Sequence, residues 1–375
     1  MTAEVVVDLL PPNTKWRCAL AVFYSIIAYQ IWELNHKAHD GQNFATIEKL
    51  RTYAVEVAIQ VLIGFVFTAV HCACRRVFYP LSDSWIKRKS SWTQKSRDAR
   101  RERWCSSIFK FTYFAIISIF AWVTLRDQEW MPPSMGGSGS LVNLLPSETR
   151  EGFGDRLFYV DKGVPDSVHF YYRIASGYHI SELIFQVVFE WNRPDFYDML
   201  LHHICTCWLL FFSMMAGCQR HGTLVLFIHD FTDVPAYMGK FFVDAAIHVS
   251  GILSSFGLVL LTWGYLRLYV FPTIIWSILV YAPQVDFPGW QLFAFLLSAL
   301  VSLHCFWYYK FIQMAIRYAG AGVVEDSVAN LQQLGKYLLL NLMQNFVNFY
   351  SNSFFDDSNV SFRFDAFTIT KKYFL

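Results

Sequence analysis

The sequence predicts an all-α, polytopic integral membrane protein, and three observations carry that reading. Of its 375 residues, 55% are hydrophobic and 16% charged, against roughly 45–50% and 25% in soluble domains. Eight stretches are long and apolar enough to cross a hydrocarbon core of about 30 Å, which takes about 20 helical residues. Charge is unevenly placed rather than strong: a net charge of +2 gives no reason to expect a nucleic-acid partner, whereas one loop is densely basic.

The spans lie at approximately 17–34, 54–74, 107–125, 168–190, 199–217, 222–243, 252–282 and 290–316. No small-residue cleavage site follows the first, which reads as a retained signal anchor. Between the second and third spans, Arg75, Arg76, Lys87, Arg88, Lys89, Lys95, Arg97, Arg100, Arg101 and Arg103 face only Asp83, Asp98 and Glu102. By the positive-inside rule this loop is cytosolic. Counting outward puts both termini in the cytosol and the loop 126–167 in the lumen. The basic loop itself is read as a topology signal or an anionic-lipid contact before any role with substrate. All eight cysteines lie in or beside apolar runs, as small packing residues do; a disulfide framework is not expected.

Beyond Arg317, the residues Leu331, Leu334, Leu338, Leu342, Phe346 and Phe349 recur at helical spacing. They describe an interfacial helix over 331–350, with a short ninth span as the alternative. The chain thus divides into an N-terminal tail with an extra transmembrane helix (1–53), a helix and the basic loop (54–106), a main membrane domain (107–316) and a C-terminal tail (317–375).

The sixth span is the least apolar, because it holds His229, Asp230, Asp233 and Lys240. Ionisable groups at bilayer depth cost at least a few kcal/mol each, so their presence points to function. The fifth span opens on Asp198 and carries His202 and His203, and only a few residues separate it from the sixth; the two must be antiparallel neighbours. With a rise of 1.5 Å per residue, His203 lies roughly 9 Å inside one face and Asp233 roughly 16 Å inside the other. The two sets can therefore meet. Asp230 and Asp233 share a helix face with Tyr237, and Thr206 and Ser213 extend the polar stripe of the fifth span.

Adjacent histidines facing carboxylates suit acyl transfer. A neutral imidazole can take a proton from an attacking amine or itself attack a thioester, while a carboxylate on its other nitrogen orients it. Neighbouring helical residues point about 100° apart, so one histidine is expected to perform the step while the other holds a partner or substrate. A helix-packing network that satisfies its own polar groups is the alternative. Iron or zinc on His202, His203, His221 and His229 fits poorly, and no metal is expected. Arg267 is placed to neutralise an inner carboxylate or a substrate group. Arg193 and Lys240, at the cytosolic ends of their spans, could equally meet coenzyme phosphates or lipid headgroups. His36, His39, His71, His169, His179, His248 and His304 stand alone in sequence and read as structural.

These residues carry a resemblance. The run Arg193-Pro-Asp195-Phe196-Tyr-Asp-Met199-Leu-Leu-His202-His203-Ile-Cys-Thr206 is similar to the Lag1 motif of ceramide synthases, within the TRAM–Lag1–CLN8 domain family. It continues in the family's order through Ser213, Arg220-His-Gly222-Thr223, His229-Asp230-Phe-Thr-Asp233 and Lys240. The resemblance implies a six-helix catalytic barrel or bundle and a multi-pass location in the endoplasmic reticulum. It also implies a reaction joining fatty acyl-CoA to a sphingoid base with no further cofactor. Catalysis would fall to His202, His203, Asp230 and Asp233, with an acyl-imidazole on the first histidine as one route. Arg193, Thr206, Ser213, Tyr237, Lys240 and Arg267 would be substrate contacts, and the turn holding Pro283, Asp286 and Phe287 would set chain length. Membrane lipid is the surrounding partner, and a homo- or heterodimer is compatible with the family. A non-catalytic lipid-binding or translocon-associated protein of the same domain family is the competing reading. Many members carry Glu where Tyr237 stands, and Pro235 is expected to break the helix one turn before it.

Overall fold

The computed structural model describes residues 47–86, 93–144, 163–245 except Asn192 and Pro194, 249–282, 290–321 and the isolated Ser25. The first expected span, the turn with Pro283, Asp286 and Phe287, and the expected interfacial helix lie outside the described residues.

Every long element among the described residues is a helix. In chain order they are α1 (Ile47–Trp85), α2 (Gln94–Leu125), α3 (Asp166–Phe189), α4 (Phe196–Met215), α5 (Gln219–Ala245), α6 (Val249–Thr262), α7 (Phe271–Tyr281) and α8 (Trp290–Ala321). A π-helical segment, Trp263–Val270, joins α6 directly to α7. Five helical stretches are long and apolar enough to cross a membrane: Arg51–Trp85, Ser96–Leu125, Phe196–Met215, Val249–Tyr281 and Trp290–Arg317. The chain is thus an all-α polytopic membrane protein. Helices α3 and α5, also expected as spans, are not among these five, and they line the interior with buried polar side chains. Helix α5 runs unbroken through Pro235, contrary to the expected break; the bundle around it tolerates the missing N–H, as membrane helices commonly do.

Helix α1 packs chiefly on α3, and α2 on α5. Small residues set the first crossing: a Cβ on Gly177 would stand 2.4 Å from the Ile63 side chain, and one on Gly64 2.9 Å from Ile180. Such close approach replaces the hydrophobic drive that lipid removes. The outward face of α1 is correspondingly apolar, with Leu62 64% and Phe65 58% exposed.

Polar bonds tie the helices at both ends. At the basic end, Arg103 and Arg100 meet Asp244 at 2.9 and 3.6 Å, joining α2 to the end of α5. Arg101 bonds the Ser82 hydroxyl and the Tyr79 carbonyl at the end of α1. At the opposite end, residues 130–144 form a cap with buried Trp130, Met131 and Leu144. Arg220 donates to the Asn143 carbonyl and lies over Trp130, and Tyr265 donates to the Ser134 carbonyl.

Deeper in the bundle, Lys110 of α2 and Glu182 of α3 form an ion pair, each side chain 7% exposed. Removing one partner of such a pair strands a charge, whereas replacing both with apolar side chains of similar size is often harmless. Lys110→Ala should therefore destabilise the protein by about 3–5 kcal/mol, and Lys110→Met with Glu182→Leu should restore most of it. Thermal unfolding in detergent micelles measures both. Equal losses in the single and double variants would show that the pair has a role beyond charge balance.

Candidate active site

The expected residues converge on the inner faces of α4 and α5. His202 is half-buried and His203 is 5% exposed, about two turns into α4. Asp198 in the first turn meets Lys310 of α8 at 3.7 Å, which binds the opening of α4 to the last helix. Further along, Ser213 and Tyr172 of α3 share a 2.6 Å hydroxyl contact, and Tyr172 donates to the Leu210 carbonyl at 2.6 Å. Gly222 permits this approach, since a Cβ there would lie 2.8 Å from the Tyr172 ring.

The two histidines divide the site. His202 faces a partly open cavity whose walls come from α3, α4, α5, α7 and α8. Thr206, Leu209, Leu210 and Ser213 continue its lining along α4, and His221, Cys218 and Ala282 stand at the end towards the cap. His203 points to the other side of α4, within electrostatic reach of Lys110 and Arg193. The roughly 100° between successive helical side chains produces this split.

A cluster of rings surrounds His202: His203 at 5.4 Å between centroids, Trp307 at 5.5 Å, His229 at 6.4 Å and His304 at 6.5 Å. His229 and His304 bond each other through their Nε2 atoms at 3.1 Å. The Nδ1 of His229 lies 2.6 Å from the Val225 carbonyl and must carry the proton there. Neutral His229 then presents an acceptor at Nε2, and His304 donates. His304, read from sequence as a solitary structural residue, is in fact part of this core and wholly buried. His179, read likewise, lines the cavity with its Nε2 buried and without a hydrogen-bond partner among the described residues.

The carboxylates are engaged elsewhere. Asp230, fully buried, accepts a 2.8 Å bond from the Tyr171 hydroxyl. Asp233 accepts a 2.6 Å bond from Nη2 of Arg267, which also donates to the His229 carbonyl at 3.0 Å, while Nε donates to Thr232 at 2.5 Å. Among the described residues no carboxylate bonds either of the paired histidines, whose Nδ1 atoms are buried and unpartnered. Arg267 thus neutralises the inner carboxylate, the first of the two roles foreseen for it. Its inward placement follows from the π-helical segment, a local widening that recurs at functional sites.

At the basic end, Arg193 is bound to Asp195 at 2.8 Å and to Glu190 at 2.9 Å. Burial by itself would raise the pKa of both carboxyls. It is outweighed at Glu190 by Lys110 and Arg193, and at Asp195 mainly by Arg193, so both are held below the usual carboxylate range. Lys240 is exposed and lies 4.3 Å over the Tyr237 ring, which stacks on Phe114. Of the residues missed from sequence, Lys110 is the lone charge of its span and was open to detection by the rule that charges at bilayer depth are functional. His304 gave no such signal, because only its partners give it meaning.

The sequence model of the TLC domain, the TRAM–Lag1–CLN8 family, matches residues 103–313. Ceramide synthase hyl-2 of Caenorhabditis elegans is 32% identical over 177 residues, 44% of this chain and 53% of its own length. Ceramide synthase hyl-1 of the same organism is 31% identical over 242 residues, 61% of each chain. ASC1-like protein 3 of Oryza sativa subsp. japonica is 26% identical over 256 residues, 66% of this chain and 83% of its own. The match thus spans less than two thirds of each nematode relative. The family model takes in α4, α5 and the whole ring cluster, from His179 to Trp307, so the chain belongs to the TLC-domain family and is similar within it to ceramide synthases.

Proposed function

We propose that this chain is a sphingoid-base N-acyltransferase of the endoplasmic reticulum membrane, joining a fatty acyl group from acyl-CoA to sphinganine or a related base. The observation that carries the reading is the cavity: largely apolar, and with His202 beside its inner end. Such a lining suits a fatty chain with its thioester held at an imidazole. The names of the nematode relatives agree with it.

In this mechanism His202 is the reacting imidazole. Its nitrogen attacks the thioester carbonyl, the carbon–sulfur bond breaks, and the thiolate leaves as CoA with the proton that the acylated imidazole gives up from its other nitrogen. The amine then attacks the acyl-imidazole, His203 accepts the amine proton and passes it to the departing His202 ring, and the amide forms as His202 is released neutral. Thr206 Oγ1 and His179 Nε2, buried without hydrogen-bond partners among the described residues, supply donors for the charge that develops on the carbonyl oxygen. Asp230 and Asp233 act through Tyr171 and Arg267, keeping the ring cluster in place. Lys240 and, beside it, Tyr237 receive the coenzyme at the basic end. The tail runs towards Ala282, and the turn expected from sequence to set chain length, with Pro283, Asp286 and Phe287, follows it in the chain.

His202→Ala and His203→Ala should each lower ceramide formation by about 100-fold or more, with protein abundance unchanged. Asp230→Asn should impair it more mildly. Lipid mass spectrometry of ceramide-synthase-deficient cells expressing each variant measures this, and wild-type yields from both histidine variants would favour a lipid-binding protein without catalysis. Incubation with acyl-CoA and no base should leave one acylated peptide spanning both histidines. Its absence, with sphinganine still converted, would mean direct attack by the amine. Ala282→Phe should shift the product profile to shorter chains, since each buried methylene is worth about 0.8 kcal/mol; an unchanged profile at normal turnover would place the limit elsewhere.

A further inference from the structure

One polar group in the cavity has no task in acyl transfer. His221, in the first turn of α5, is 7% exposed and lines the cavity at the end away from His202. It precedes His229 by eight residues, roughly 12 Å along the helix, and His229 stands beside His202. Its Nδ1 is buried and has no hydrogen-bond partner among the described residues. The neighbouring Arg220 is committed to the cap through the Asn143 carbonyl and Trp130. The cavity wall is otherwise largely apolar, with Leu226, Ile278 and Phe293.

A plain alkyl tail seated against this imidazole would leave its already buried nitrogen unbonded, which is unfavourable in an apolar site. A tail with a hydroxyl at its far end would give it a partner. We infer that this chain prefers acyl-CoA bearing a terminal hydroxyl, and that His221 is the residue that reads it. The inference rests on the acyl-transfer reading above and narrows its substrate class. A site built to bond a substrate hydroxyl discriminates against the analogue lacking it, whereas an apolar wall penalises the hydroxyl instead. The direction of preference is therefore diagnostic.

The test uses the full-length chain with sphinganine and matched pairs of donors, dodecanoyl-CoA with ω-hydroxydodecanoyl-CoA and palmitoyl-CoA with ω-hydroxypalmitoyl-CoA. For the pair whose terminus reaches His221, kcat/KM should favour the hydroxylated donor by about tenfold or more. In His221→Leu and in His221→Ile the ratio should invert. Equal rates within both pairs in the wild-type protein would overturn the inference, as would a preference that survives both substitutions. Failure to convert either member of any pair would overturn the acyl-transfer reading itself, and this one with it.

Discussion

The buried guanidinium of Arg267 directs three hydrogen bonds at a single turn of α5, to the Asp233 carboxylate, the Thr232 hydroxyl and the His229 carbonyl, while its flat face rests 3.9 Å from the Trp263 ring. A charge taken out of water is tolerable only when its partners are complete, because desolvation costs several kcal/mol per ion. Here the completeness is also a positional constraint. The bonds hold the backbone at His229, that histidine holds His304, and together they form one side of the ring cluster around His202. The arrangement requires the π-helical segment, whose extra residue per turn brings Arg267 to face α5.

The second organising feature is a separation of polarity across α4. One side of the helix presents His202, Thr206 and Ser213 to a largely apolar cavity; the other presents His203 towards α2 and α3, where Lys110 and Glu182 pair. Adjacent residues on one helix thereby reach two different environments without any loop between them. In the proposed reaction a fatty chain and a polar headgroup make opposite demands on their surroundings, and the histidine pair stands at the boundary between the two. In that proposed reaction, the nitrogens and hydroxyls along this boundary that have no hydrogen-bond partner among the described residues are where substrate atoms would complete the bonding.

The family assignment and this geometry support each other at particular residues. The match takes in α4 and α5 and also His304 and Trp307 on α8, which close the ring cluster from a distance of about a hundred residues. The cap residues Trp130 and Asn143, which meet Arg220, are inside it too. The aligned stretch thus includes both ends of the cavity, which a shared motif alone would not require.

From the sequence by itself came the membrane class, the positions of the described helices and the pairing of α4 with α5. Those rest on apolar length and on a turn too short for any other arrangement. The residues His202, His203, Asp230 and Asp233 were legible too, because ionisable groups in an apolar run are conspicuous. What the carboxylates bond was not. The spacing of Asp230 and Asp233 is compatible with facing the histidines, yet Tyr171 and Arg267 arrive from α3 and the π-helical segment and take those carboxylates first. Helical periodicity fixes which residues share a face; it says nothing of which distant helix meets that face. For the same reason His304 and His179 read as isolated, and only the packing of α8 and α3 around one cavity decided that each has a place at its wall or beside His202.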